Sequence, residues 1–159
     1  MHTVDREKIA RKLDQAVSDA GRSPLDVLIQ VNTSDEDQKS GCSVLDAPGL
    51  AQAIVDSCPH LRLAGLMTIG AAGVDPAPFF AALARARDEV ASALGLSPEQ
   101  LALSMGMSAD FEQAIAAGAT HVRVGSSIFG AREGVTPAAS TLSEASTARK
   151  GTPDAAETT

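Results

Sequence analysis

Tryptophan and tyrosine are absent from the 159 residues, and the only aromatic carbocycles are four phenylalanines. Surfaces that bind unpaired bases stack them on aromatic rings, so that class of partner is disfavoured. Cysteine is scarce as well. Cys42 and Cys58 are too few and too far apart for a disulfide framework or a zinc site, and both are expected as free thiols. Basic residues are outnumbered, 13 Lys and Arg against 20 Asp and Glu, for a net charge of −7. A broad electrostatic grip on nucleic acid is thereby excluded. No apolar run approaches the ~20 residues of a membrane-spanning helix. The opening, MHTVDREKIA, is charged and lacks the apolar stretch of a signal peptide. These absences describe a soluble, cytoplasmic protein with neither nucleic acid nor membrane as partner.

What is present is a core. Hydrophobic residues make up 44% of the chain, whose length suits one domain. Residues 5 to 20 place Ile9, Ala10, Leu13, Ala16 and Val17 at helical spacing, with Asp5 as N-cap and Gly21 as stop. Asp26–Val31 reads as a buried strand. Residues 32 to 43 are polar loop. Ala47–Ser57 reads as a helix, Leu63–Ile69 as a second strand, and Phe79–Leu94 as a long helix after a Gly- and Pro-containing loop. Leu101–Ser104, Ala109–Ala117 and His121–Val124 follow as strand, helix and strand. Gly118 ends the helix, and a last turn begins at Ser127.

Alternation of strands with helices implies a parallel sheet and an α/β fold. Two forms remain open, an open sheet of four strands and part of a (β/α)8 barrel. A complete barrel needs typically about 250 residues, so this chain is too short to close one alone. From Glu133 onward the sequence is rich in Ala, Ser, Thr, Pro and Glu and poor in large apolar residues. Such a segment buries too little to offset its ordering entropy. The expectation is an ordered domain over residues 1–132 and a disordered tail over 133–159.

Two apolar runs near the end of that domain each finish in small residues, SMGMS and VGSS, and each leads into a helix. Phosphate needs converging donors without steric obstruction. Glycine lets backbone come close, serine adds hydroxyls, and a helix start adds exposed N–H groups. The plainer alternative is ordinary helix capping, with Ser108 capping Ala109–Ala117 and Ser126 the next helix. One residue can do both.

The phrases VLIQVNTSDEDQKSG, LAGLMTIG, LSMGMSADFEQAIAAGATHVRVGSSIFGAR and HTVDREKIARKL resemble the pyridoxal phosphate homeostasis protein family. The likeness covers roughly residues 2 to 132, in the family's usual order. It implies a barrel like the N-terminal domain of alanine racemase, here about four βα units forming its C-terminal half. It also implies that Leu101–Ser104 and His121–Val124 are the last two barrel strands, where phosphate sites often form. On that basis Ser104, Met105, Gly106, Met107 and Ser108 make one wall of a phosphate cup, and Gly125, Ser126 and Ser127 the other.

Arg123 is the second feature. In a strand, Val122 and Val124 share one side and Arg123 the other. A buried guanidinium is costly unless paired. The resemblance places Arg123 near the pyridine nitrogen of pyridoxal 5′-phosphate, where a permanent cation disfavours ring protonation. A carboxylate partner, or exposure on an edge strand, is the equal alternative. The family links the cofactor covalently to a lysine on its first strand. Of Lys8, Lys12, Lys39 and Lys150, none matches that position.

Other polar residues carry less. Gln30 and Asn32 are expected to tie down the loop after their strand, Met67 and Thr68 to pack in the core, and His121 to be an interior hydrogen-bonding residue. Asp35, Glu36 and Asp37 read as a solvated charge run. Neither cysteine has a histidine-paired pattern for nucleophilic work. The resulting expectation is a non-enzymatic protein of vitamin B6 homeostasis that holds pyridoxal phosphate weakly and non-covalently, through its phosphate. The alternative is a fragment without its own function. Its exposed sheet edges would then demand a homodimer or a complementing N-terminal half. An unrelated phosphosugar or nucleotide binder is disfavoured, since no G-x-G-x-x-G or P-loop pattern is present.

Overall fold

A computed structural model of the chain describes residues 1–34, 36, 40–71 and 73–130. The expected tail lies outside the described residues, as do Ala131 and Arg132. The elements run α1 (Glu7–Asp19), β1 (Leu25–Gln30), α2 (Ala47–Ser57), β2 (Leu61–Met67), α3 (Ala77–Leu94), β3 (Ala102–Met107), α4 (Phe111–Ala116), β4 (His121–Arg123) and α5 (Ser126–Phe129). A 3-10 turn at Pro98–Gln100 precedes β3.

The sheet is parallel throughout, in the order β1-β2-β3-β4. That order decides between the two forms left open by the sequence. A doubly wound sheet reverses its strand order at a switch point. Here each crossover advances by one strand, and right-handed crossovers then lay every helix on the same face. Helices α1 to α4 accordingly pack against one another in chain order. The architecture is a partial (β/α)8 barrel. Val4 adds a single parallel bridge to Ile29, which sets the HTVD segment beside β1.

The core fills the space between sheet and helices. Val27, Ile29, Leu66, Leu103 and Met105 face Leu50, Ile54, Phe80, Leu83 and Val90. Side chains alternate along a strand, so Leu28, Gln30, Ser104 and Arg123 belong to the other, inner face. In a barrel that face is the lumen. This is why a strand such as ALSMGM carries apolar residues on one side and small or polar ones on the other.

Several boundaries differ from the sequence expectation. Asp5 is not the cap of α1. Arg6 occupies that position without a side-chain cap, and the Asp5 carboxylate instead accepts from Arg6 Nε at 3.0 Å. β2 begins two residues before Leu63, and Ile69 lies beyond its end. β3 runs past Ser104 to Met107, because Met107 pairs with Arg123. Reading the strand as an apolar run stops it at its first polar residue, which in a barrel is merely lumenal.

Gly65 marks the closest approach in the sheet. A Cβ there would lie 2.1 Å from the carbonyl oxygen of Ala102 and 2.6 Å from its nitrogen. Both are backbone atoms of the paired strand and cannot yield without breaking the pairing. Gly65→Ala is expected to lower stability by about 1–3 kcal/mol or more, read by urea denaturation.

Candidate functional site

Parallel pairing of β3 with β4 sends both following loops off the same end of the sheet. The two loops meet. Ser108 Oγ accepts hydrogen bonds from the backbone N–H of Gly125 at 3.0 Å and of Ser127 at 3.3 Å. Ser108 thus caps α5 from across the sheet, rather than α4 as local capping predicts. α4 starts later, at Phe111, with Asp110 before it, and Asp110 Oδ1 accepts from the Met107 N–H at 2.6 Å. Gly125 has φ −126°, which any residue adopts. Among the described residues, no atom beyond its chain neighbours lies within 4 Å of where its Cβ would stand. Glycine here leaves the main chain open to close approach, which is what an anionic group needs.

The remaining wall residues are spread over three environments. Ser104 is fully buried in mid-strand, on the inner face with Arg123. The Met105 side chain is fully buried in the core on the helix side, so only its backbone faces other uses. Gly106 has φ +90°, and a Cβ there would lie 2.5 Å from the Ala114 Cβ. It seats α4 against the sheet. Met107, 36% exposed, ends β3 at the tip. Ser126 is exposed at the start of α5. The tip itself therefore gathers Met107, Ser108, Gly125, Ser126 and Ser127.

Behind the tip runs a polar seam. Arg123 Nη1 donates to Ser104 O at 3.1 Å and Ser104 Oγ at 3.0 Å, and Nη2 donates to Thr68 O at 2.9 Å. Thr68 Oγ1 in turn donates to Val31 O at 2.9 Å and lies 2.8 Å from Thr33 Oγ1. The guanidinium thus spans three strands through carbonyls and hydroxyls, and no carboxylate pairs with it among the described residues. Burial pulls its pKa below the usual value, against the opposing pull of Asp110. An arginine stays charged through such a shift. Its Nε–H and second Nη2–H make no hydrogen bond among the described residues, so the charge keeps donors for a further acceptor.

The structure also shows residues that sequence reasoning set aside. Thr68, expected in the core, links the seam to a cleft of about 650 Å3 beside the ends of β1 and β2. Gln30 and Asn32 line that cleft and hold the loop as expected, through Ser40 O at 2.9 Å and Glu36 O at 3.0 Å. His121 is exposed rather than interior, because β4 is an edge strand. Its Nδ1 lies 2.9 Å from Thr120 Oγ1 and its ring meets His2 edge to face at 5.8 Å. His2 Nδ1 lies 3.0 Å from Ser104 Oγ. Nothing in the spacing of residues 2, 104 and 123 announces this contact. Lys39, Asp35 and Asp37 lie outside the described residues. Among those described, no group of His, Cys, Asp and Glu could hold a metal, and no helix is long and apolar enough to cross a membrane. Burial pushes the Cys42 thiol up to about 11, which leaves it a poor nucleophile.

An arc of four parallel strands in sequential order, with its helices on one face, is part of a (β/α)8-type barrel. The family described as alanine racemase, N-terminal domain, matches residues 1–133. The chain belongs to that family. Within it, the chain is similar to the pyridoxal phosphate homeostasis proteins. It is 44% identical over 138 residues to that of Mus musculus, covering 84% of this chain and 50% of the relative. It is 48% identical over 139 residues to that of Pseudomonas aeruginosa, covering 87% and 58%. Among solved structures, PipY of Synechococcus elongatus with PLP bound superposes with a TM-score of 0.65 at 33% identity, over 81% of this chain and 59% of PipY. The chain spans half or somewhat more of the length of these relatives.

Ser108→Ala removes the shared acceptor of two N–H groups. It is expected to cost about 0.5–2 kcal/mol of stability, as loss of a helix cap does, measured by chemical denaturation.

Proposed function

We propose that this chain binds pyridoxal 5′-phosphate non-covalently and acts in vitamin B6 homeostasis as a carrier rather than an enzyme, in the cytoplasm. The phosphate sits at the joined tips, on the amide of Ser126 and the hydroxyl of Ser108, whose oxygen already accepts from the amides of Gly125 and Ser127. Met107 flanks it. Arg123 lies behind, its unused N–H groups toward the ring nitrogen. The cofactor supplies an aldehyde and an electron-accepting ring, and the chain supplies anion binding and a fixed positive charge.

The observation that carries this reading is the meeting of the two tips at one end of the sheet, with open space before Gly125. The donor set suits a phosphate ester, since a backbone amide and serine hydroxyls need no charge of their own. The guanidinium suits a ring nitrogen that accepts and does not donate. PipY, a relative at 33% identity, has PLP bound. Lys8 and Lys12 are exposed on α1, whose buried face packs on the outside of the barrel, away from the seam. Neither is placed to anchor an aldehyde.

A second observation bears on partners. Among the described residues no strand pairs with the outer edge of β4, where Val122 is 37% exposed, with Ile128 at 67% and Phe129 at 85% beyond it. An open edge beside apolar side chains favours pairing. We propose that the arc is completed by a second copy of this chain or by a segment carrying the other half of such a barrel.

Titration with pyridoxal phosphate, followed by absorbance, is expected to show saturable binding that inorganic phosphate competes away. Borohydride is expected to leave no specific lysine adduct. Arg123→Leu is expected to weaken binding about tenfold or more, the worth of a hydrogen bond to a charged group. A stoichiometric adduct at one lysine, or binding indifferent to phosphate, overturns the reading. Light scattering after size-exclusion chromatography checks the pairing, and a monomer at all concentrations excludes the second copy.

A further inference from the structure

We propose that His2 is a positioning residue for Arg123: as a neutral ring it takes the Ser104 hydroxyl proton on Nδ1, which turns the Ser104 oxygen toward the guanidinium, and protonation of His2 undoes this hold. The consequence for ligand rests on the binding reading above. The proton assignment does not.

Ser104 Oγ belongs to a residue with no exposed surface, and its two polar neighbours are Arg123 Nη1 and His2 Nδ1, each at 3.0 Å. A guanidinium has donors only, so Ser104 Oγ accepts from Arg123. The one hydroxyl proton is then left for His2, and Nδ1 must be an acceptor. That requires the neutral tautomer with its hydrogen on Nε2. In the imidazolium both ring nitrogens donate. Ser104 would then face two donors, and its own buried proton would have no acceptor.

The surroundings oppose that cation. His2 faces the Met1 ammonium on its own segment, and His121 and Arg123 on β4; the acidic group near this cluster, Asp110, acts on Arg123. The Met1 ammonium is itself held on Asp26 O at 2.6 Å. Burial first, then these positive neighbours, lower the His2 pKa below 6.5. In the unfolded chain the ring has its ordinary value. As pH falls through 6.5, the unfolded state takes up the proton before the folded one does. The stability that comes from neutral His2 is lost from that value down to the lower folded one. Arg123 keeps its bonds to the Ser104 and Thr68 carbonyls throughout, so acid loosens the guanidinium without releasing it.

Two measurements on the full chain test this. In the ligand-free protein, nitrogen NMR of the His2 ring is expected to show the Nε2–H tautomer, titrating below 6.5. A ring protonated on Nδ1, or one titrating at 6.5 or above, overturns the proposal whatever the ligand does. The second measurement is pyridoxal phosphate affinity between about pH 8 and 5.5, in wild type, His2→Asn and His2→Leu. The ligand's own phosphate titrates near pH 6 equally in all three. Asn offers an amide oxygen near the Nδ1 position and does not titrate, so its affinity at pH 8 is expected within about twofold of wild type. Leu removes the acceptor and is expected to bind about three- to tenfold more weakly at pH 8. Wild type is expected to lose about three- to tenfold more affinity on acidification than His2→Asn does. Equal acid limbs in wild type and His2→Asn sink the proposal even if His2→Leu fails to fold. If none of the three binds pyridoxal phosphate at any pH, the binding reading fails, and the NMR result alone decides the role of His2.

Discussion

Parallel pairing of β3 with β4 is the constraint on which the site depends. It places Met107 opposite Arg123 and so brings two loops, 17 residues apart in the chain, to one end of the sheet. Ser108 then reaches the amides of Gly125 and Ser127. A reversed β4 would send one serine-glycine cluster to each end, and no anion could touch both. The pairing in turn needs a flat, close approach at β2 and β3. Gly65 against Ala102 provides it, and Gly106 lets α4 sit down on the strand it follows.

The second constraint is electrostatic. A chain of net charge −7 keeps a guanidinium on its inner face with no carboxylate paired to it among the described residues. Burying an unpaired charge is costly, and hydrogen bonds to carbonyls offset part of that cost. Acceptors come from Ser104 on β3 and from Thr68 just past β2, so the arginine on β4 doubles as a cross-brace to both. A carboxylate partner would have cancelled its field. Carbonyl partners orient it and leave the field in place for a ligand. The same residue therefore serves the barrel's inner packing and whatever negative or electron-rich group lies against it.

Polar residues on the inner face act as one connected set. His2, Ser104, Arg123 and Thr68 each use the next as partner. Such networks are strong when every member is satisfied, and no side-chain nitrogen or oxygen buried among the described residues lacks a partner. The set includes one imidazole, its pKa held below the ordinary histidine value by burial, which is how a rigid lumen acquires sensitivity to its surroundings.

Much of this was legible in the residues themselves. Apolar spacing marked α2 at its observed bounds and placed every helix and strand of the described chain within a few positions, since helical and strand periods are local properties. Glycine and serine clusters after two strands marked the tip. Ser108 and Gly125 to Ser127 do converge there, whereas Ser104, Met105 and Gly106 serve the lumen, the core and the seat of α4. The reason is that the apolar pattern ends β3 early, while pairing with a neighbour extends it. The alternation in HVRV pointed Arg123 inward, but the pattern could not say what it would meet. Its partners, Ser104 and Thr68, lie 19 and 55 residues away, and a carbonyl acceptor leaves no mark on the sequence. For the same reason nothing in the sequence marked His2. Its contact with Ser104 joins residues 102 positions apart. Composition and period determined the elements and the face each residue occupies. Which elements stand side by side, and hence which polar groups share a proton, was decided only when the strands took their order, because hydrogen bonding reaches about 3 Å and the chain reaches everywhere.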